Sequence, residues 1–261
     1  MPEGDTVHLA ARRLDAALAG HVLTKTDIRV PRYALTDLSG QKVENVIARG
    51  KHLLLRTDGN VTLHTHFKME GSWHLYAPGE KWRGPGFQVR AVLETDDRVA
   101  VGFRLGIVEL FSTDEEHRVV GHLGPDVLGP DWDPDEALRR LEKHPDSPIG
   151  DAIIDQTVMA GPGNVYRNEI CFLRGLDPWT PVAKVPDLTG LIALTKRVME
   201  ANRTTGRQIT TGLDRPGREH FVYGRKGKSC RRCGTPIRRK AEAPGEERVT
   251  YWCPTCQPSS G

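Results

Sequence analysis

The chain reads as an α+β protein: an N-terminal helix, an antiparallel β-sandwich, then a helical region ending in a cluster of four cysteines. Three observations predict this. Val7, Ala11, Leu14 and Leu18 fall at helical spacing within residues 4–18. Between about residue 21 and residue 112 the pattern changes to short apolar or alternating runs separated by Gly, Pro or polar breaks. Beyond residue 135 helical periodicity returns, and Cys230, Cys233, Cys253 and Cys256 close the chain.

Each element has its own signal. The first helix spans 4–18 and stops before Gly20. Strand-like runs are His52–Arg56, Val61–His66, Phe87–Leu93 and Ile107–Phe111, and together they predict a sandwich or barrel. Residues 113–135 are acidic and rich in Pro and Gly, which reads as a connection between domains. Helices are expected over Asp135–Lys143, Ile149–Met159, Asn164–Leu173 and Leu188–Asn202.

Composition sets bounds. The chain has 261 residues, enough for two domains, and 38% of them are hydrophobic. A formal net charge of +3 is too small to argue for a polyanionic partner by itself, so the distribution of charge matters more. No run approaches the roughly 18 apolar residues of a membrane span, and the N-terminus has no apolar signal core. A cytosolic location with no membrane partner is the expectation. In a reducing compartment clustered cysteines read as metal ligands rather than disulfides. Cys171, which stands alone, reads as a small buried hydrophobe.

The cysteine spacing is C-x2-C-x19-C-x2-C. Two such pairs let four thiolates converge tetrahedrally on one Zn²⁺ with a hairpin between them. Around them lie Arg225, Lys226, Lys228, Arg231, Arg232, Arg238, Arg239 and Lys240, with no acid between residues 225 and 240. Such a basic patch suits a phosphate backbone, although a zinc ribbon can also bind protein.

Two further sites stand out. In Gln156–Glu169, QTVMAGPGNVYRNE, the Gly-Pro-Gly step cannot continue a helix, and Asn164 is a favoured N-cap. A helix restarting there would present free amides to an anion, with the Asn164 side chain as a further donor; a plain helix–turn–helix corner is the alternative. At the start, Met1 precedes Pro2, Glu3 and Gly4. Removal of Met1 would expose a secondary amine on Pro2, able to attack an aldehyde and form a Schiff base, with Glu3 to shuttle protons.

An N-terminal Pro-Glu, a Gly-x-Gly-Asn-x-Tyr turn and a four-cysteine finger, in that order, resemble the formamidopyrimidine-DNA glycosylase/endonuclease VIII family. The resemblance covers essentially the whole chain. Arg49-Gly50-Lys51-His52-Leu53-Leu54-Leu55 is similar to the family's catalytic-lysine strand, and His66-Phe67-Lys68-Met69-Glu70-Gly71 to its intercalation loop. Tyr223-Gly224-Arg225-Lys226-Gly227 is similar to the lead-in to the finger, and Arg248-Val249-Thr250 to the stretch that carries its phosphate-gripping arginine. The Met-Pro-Glu-Gly-Asp-Thr-Val start is most similar to a bacterial endonuclease VIII-like branch.

The resemblance implies a base-excision-repair DNA glycosylase with AP lyase activity by β,δ-elimination. Pro2 would be the nucleophile, Glu3 the proton carrier, and Lys51 the group that steadies the charged intermediate or its phosphate. Asn164, Arg248 and Arg104 would bind phosphates, while Met69 and then Leu105 would fill the hole left by a flipped nucleotide. Cys230, Cys233, Cys253 and Cys256 would hold a single structural zinc ion. The implied organisation is a catalytic β-sandwich domain over 1–115, a linker over 116–134, a helix–two-turn–helix domain over 135–222 and a zinc finger over 223–261. The implied partner is double-stranded DNA with oxidised bases or abasic sites. A monomer in the bacterial cytoplasm, associated with the nucleoid, is expected.

Two departures from the formamidopyrimidine branch favour oxidised pyrimidines over 8-oxoguanine. Phe103 stands where that branch has an arginine that reads the opposite base, and the segment Thr205–Tyr223 is shorter than its lesion-capping loop. Thr6 also replaces a glutamate found in much of the family. The competing readings are a non-catalytic zinc-finger DNA-binding protein on the same scaffold and a protein-binding zinc adaptor.

Overall fold

The structure is a computed structural model and describes residues 2–241 and 249–259. The chain divides into two compact units, Met1–His122 and Leu123–Gly261.

The first unit opens with α1 (Gly4–Leu18), whose buried face carries Val7, Ala11, Leu14 and Leu18, as the periodicity predicts. Eight strands follow: β1 (Lys25–Ile28), β2 (Val43–Arg49), β3 (His52–Thr57), β4 (Val61–His66), β5 (Ser72–Tyr76), β6 (Val89–Glu94), β7 (Val99–Phe103) and β8 (Ile107–Ser112). They form two four-stranded sheets, ordered β1-β6-β7-β5 and β2-β3-β4-β8, with every pairing antiparallel. Both sheets contribute to one core: Ile28, Ala91, Leu93 and Ala100 from the first, Val46, Leu53, Leu55, Leu63 and Val108 from the second. The α1 stripe joins the same core. This is the predicted sandwich, and burying each such Leu or Val side chain contributes about 1.5–3 kcal/mol. Four strands escape the sequence signal: β1, β2, β5 and β7. A short helix, α2 (His117–Val120), ends the unit.

The second unit holds α3 (Pro134–Glu142), α4 (Ile149–Ile154), α5 (Asn164–Arg174) and α6 (Leu188–Asn202), then the hairpin β9 (Arg238–Ala241) and β10 (Val249–Trp252). Asp133 caps α3 by accepting from the amides of Asp135 and Glu136. Helix α4 is shorter than expected. The Asp155 carboxylate accepts from the Thr157 amide at 2.8 Å, a local bond that competes with the helix and stops it at Ile154 rather than Met159. The stretch 116–134 contains the boundary between the units, and its second half is not a free tether. Val127 and Leu128 belong to the core of the second unit with Leu141, Ile153, Tyr166 and Met199.

Among the described residues, no helix is long and apolar enough to cross a membrane.

Candidate functional site

Pro2 and Glu3 lie at the head of α1. Pro2 is half-buried. Glu3 is fully buried at 0% exposure, and its carbonyl accepts from the Val7 amide at 3.1 Å.

Lys51 sits in the two-residue loop joining β2 to β3, where Arg49 pairs with His52. The loop's first residue, Gly50, has φ +58, a conformation that costs other residues strain. Lys51 is half-buried, and its charge helps hold the His66 imidazole neutral, below burial and Lys68 in effect.

The β4–β5 and β7–β8 loops carry the residues that the family resemblance marks for DNA. Met69 is 40% exposed, as an inserting side chain must be. Its loop is tight: the Gly71 amide donates to Phe67 O at 2.9 Å, and a Cβ on Gly71 would lie 2.6 Å from that oxygen. Lys68 and Arg104, one in each loop, have φ +53 and +48. Non-glycine residues in this region each cost on the order of 1–3 kcal/mol and cluster where function needs a fixed shape. Arg104 bridges the loops, reaching Glu70 at 3.0 Å and Gln88 at 2.8 Å.

Leu105 is a correction. It is 5% exposed and belongs to the sandwich core, lying against Gly102 beside Trp73. It is a packing residue here: alternation from β7 would leave it on the Phe103 face, and the left-handed backbone at Arg104 turns it into the sandwich core instead. Of the two expected wedges, only Met69 is presented.

In the second unit the Gly-Pro-Gly turn is shaped by Gln156. Its Oε1 accepts from the Gly161 amide and its Nε2 donates to the carbonyls of Ile154 and Pro162. The cap is not Asn164, as expected, but Gly163, whose backbone is extended; Asn164 is the first residue of α5. Asn164 is nearly buried, and its Nδ2 donates to Val249 O at 3.1 Å, at the start of β10. An amide nitrogen carries two hydrogens, and this bond takes one.

The same helix face holds residues that the sequence reading missed. Arg167 donates to Thr250 Oγ1 at 2.8 Å and to Asp151 at 3.1 Å. Asn168 Oδ1 accepts from the Tyr251 amide. Glu169, fully buried, accepts from the amides of Phe221, Val222 and Tyr223, each at 2.8 Å, and from the Thr210 hydroxyl. Asn164, Arg167 and Asn168 at spacing i, i+3 and i+4 therefore fasten the finger strand to α5, and Glu169 fastens the finger's lead-in. That spacing of polar residues inside an otherwise apolar helix was the available signal.

Cys230, Cys233, Cys253 and Cys256 bring their sulfurs within 4.8 Å of one another. Cys230 and Cys256 lie 3.9 Å apart, and Cys233 and Cys253 3.4 Å. With metal–sulfur bonds of about 2.3 Å, a tetrahedral zinc site has sulfur–sulfur edges of about 3.8 Å, so the set fits. Hydrogen bonds from Thr235 draw the Cys233 thiol down to about 6. Burial and the neighbouring thiols push Cys256 up. A bound dication removes that conflict, so metal binding releases protons.

Several of the basic flanking residues are structural. Arg225 donates to Ser229 O and Arg231 to His220 O, Arg232 stacks 4.6 Å over Phe172, and Lys240 lies 5.1 Å over Trp179. Lys226, Lys228, Arg238 and Arg239 are exposed and available to a polyanion. Tyr251 packs in the finger's own small core, and Trp252 meets Trp179 edge to face at 4.8 Å, as expected of packing residues. Cys171 is fully buried, and burial pushes its thiol up to about 12. Arg248 lies outside the described residues.

The comparisons with known proteins agree along the chain. The formamidopyrimidine-DNA glycosylase N-terminal domain model matches residues 1–105, and the formamidopyrimidine-DNA glycosylase H2TH domain model matches residues 123–211. The chain belongs to the formamidopyrimidine-DNA glycosylase family. Among its relatives, "Probable endonuclease 8 2" of Streptomyces coelicolor is 53% identical, with 98% of this chain and 94% of the relative covered. "DNA-(apurinic or apyrimidinic site) lyase Nei2" of Mycolicibacterium smegmatis is 48% identical over 100% of both chains. The fold is that of Lactococcus lactis formamidopyrimidine-DNA glycosylase, solved non-covalently bound to DNA containing an AP site. It superposes with a TM-score of 0.81 at 24% identity, covering 99% of this chain and 100% of that one. The H2TH match spans α3, α4, α5 and α6.

Proposed function

We propose that the chain removes oxidised pyrimidines from double-stranded DNA through a Schiff base at the Pro2 amine and then cuts the backbone by β,δ-elimination. It is a DNA glycosylase with AP lyase activity, the class to which its family and its full-length relatives point. The observation that carries the reading is the pairing of Pro2 with the fully buried Glu3 at the head of α1, inside the span matched by the family's N-terminal domain.

The chemistry follows from these groups. The damaged nucleotide leaves the stack, which costs a few kcal/mol. Met69, exposed on its strained loop, enters the gap and recovers part of that cost. The Pro2 amine attacks the sugar C1′ and displaces the base while Glu3 protonates the sugar oxygen. The resulting iminium draws electrons from the sugar, so each elimination breaks a carbon–phosphate-oxygen bond. Lys51 steadies the charged intermediate or its phosphate, and Arg104, Asn164 and Arg248 hold neighbouring phosphates. The four cysteines hold zinc, which is structural because four thiolates leave no open position for water.

Glu3→Gln keeps the shape and removes the proton. Base excision from an oxidised-pyrimidine duplex is then expected to fall by about 10²–10⁴-fold, the usual worth of a positioned acid–base group. Single-turnover excision measures this, and an unchanged rate would remove Glu3 from the chemistry.

Phe103 supports the pyrimidine preference. It is 5% exposed among Tyr76, Val89 and Val101, so neither its chemistry nor its position reads a base. Matched duplexes with thymine glycol or 8-oxoguanine test this: thymine glycol should be excised faster. Equal or reversed rates would overturn the substrate assignment and leave the lyase assignment standing.

A further inference from the structure

The Pro2 reading leaves unused a line of histidines on the face of the β2-β3-β4-β8 sheet turned away from the sandwich core. His64 on β4 is 1% exposed. Its Nδ1 lies 3.0 Å from Glu109 Oε2, on the directly paired position of β8. Its Nε2 lies 2.9 Å from His52 Nδ1, on β3. The two rings stack with centroids 5.0 Å apart, and His66 meets His52 edge-on at 5.0 Å.

These distances fix the tautomers. A carboxylate can only accept, so His64 carries a hydrogen on Nδ1; burial lowers its pKa from the ordinary value, which keeps the ring neutral near pH 7 with a lone pair at Nε2. His52 must then donate from Nδ1, which leaves its own Nε2 as an acceptor. His66 has the opposite assignment: its Nδ1 accepts from the Lys68 amide at 2.9 Å, so its hydrogen sits on Nε2. Burial foremost, then the surrounding cations and imidazoles, push His52 down to about 3 and His66 down to about 4, so both rings are neutral near pH 7. The groups facing them are His64, Lys51, Lys68 and His122, with Glu109 behind His64.

We propose that Glu109 and His64 are positioning residues that fix His52 in its Nδ1–H form, so that its Nε2 lone pair receives a lysine ammonium at the Lys51–Lys68 end of the sheet. Neutral His66 then offers an N–H to an anion at the same end. The arrangement supplies one acceptor and one donor of fixed identity at the end of the sheet where Lys68 acts on both rings and Lys51 on His66, and holds the Lys51 charge in place during elimination. This rests on the role given to Lys51 in the proposed reaction.

Long-range ¹H–¹⁵N NMR of the histidine rings tests the chain directly in the full-length, metal-loaded protein without DNA. Wild type should show His52 as Nδ1–H and His66 as Nε2–H. Glu109→Gln, which still accepts from His64, should keep this pattern. Glu109→Leu and His64→Leu should move His52 to the Nε2–H form common for unrestrained imidazole. On abasic-site DNA, those two variants should lose at least about tenfold in the elimination rate, the scale on which partners behind a ligating histidine act, while Glu109→Gln stays near wild type. Glu109 is 41% exposed, so its variants should fold even if His64→Leu does not. A wild-type His52 in the Nε2–H form overturns the relay whatever the lyase does. A switched tautomer with an unchanged elimination rate overturns its function. Failure of wild type to form a borohydride-trappable adduct would instead sink the Pro2 reading and leave the tautomer result intact.

Discussion

Replacing Cys253 with alanine is expected to release the bound metal and abolish tight DNA binding together, with the first unit left folded. Cys253 is fully buried in the finger's small core with Phe172, Val222, Cys230 and Ile237. Its amide donates to Gln257 Oε1 at 2.9 Å, and Gln257 in turn donates to Leu176 O, so this residue joins metal, finger and helical region. Structural zinc supplies about 10–16 kcal/mol of binding energy in finger peptides, more than a hairpin of four-residue strands can replace. The loss should extend to the strand that α5 holds through Asn164, Arg167 and Asn168 and that leads directly from Arg248. Metal content and fluorescence anisotropy with an abasic-site duplex, measured on one preparation, check this. The β-sandwich has its own core, so most strand signal in circular dichroism should persist. Tight binding by a metal-free variant would show that the finger does not position DNA.

Much of the fold was legible wherever one physical signal dominated. The α1 stripe is buried on one side only, so its period survives in the sequence and its limits agree at both ends. Cysteine spacing survives because metal geometry fixes it. Strands β1, β2, β5 and β7 were not legible for different reasons; in β2 a register shift between Val43 and Asn45 breaks the alternation. In β1 only Ile28 is buried, so no alternation develops. In β5 Trp73 and His74 interrupt the pattern, and β7 is buried along its whole length, so periodicity cannot mark it. The end of α4 turned on one side-chain bond from Asp155, which no periodic signal carries.

The candidate site was legible by residue type and less so by role. For Pro2, Glu3, Lys51 and Met69 the sequence supplies the residue types, and their roles belong to the proposed reaction. Leu105 is a core residue next to the exposed Arg104, and apolar chemistry suits both a wedge and a core. Asn164 was singled out for an anion, yet its amide is shared with the finger backbone. Arg167, Asn168 and Glu169 were passed over because buried polar residues in a helix resemble solvated ones until their partners, far along the chain, are known. The histidine line was hidden for the same reason: His52, His64 and Glu109 meet only through strand register.

The second large effect concerns the nucleophile. Pro2→Gly replaces a secondary amine with a primary one on a less restrained backbone, and retention of Met1 buries the amine in a peptide bond. Either change is expected to cost at least about a hundredfold in the chemical step, since covalent catalysis depends on the placement of the attacking group. Binding to an uncleavable abasic-site analogue should be little changed, because the phosphate contacts proposed above use other residues. Borohydride trapping on an abasic-site duplex, with intact-mass analysis of the adduct, is the most direct test of the central claim. The expected result is one covalent adduct on protein that has lost Met1, mapped to Pro2 and absent or greatly reduced in Pro2→Gly. Equal trapping by wild type and Pro2→Gly, or an adduct mapped to Lys51, would contradict it.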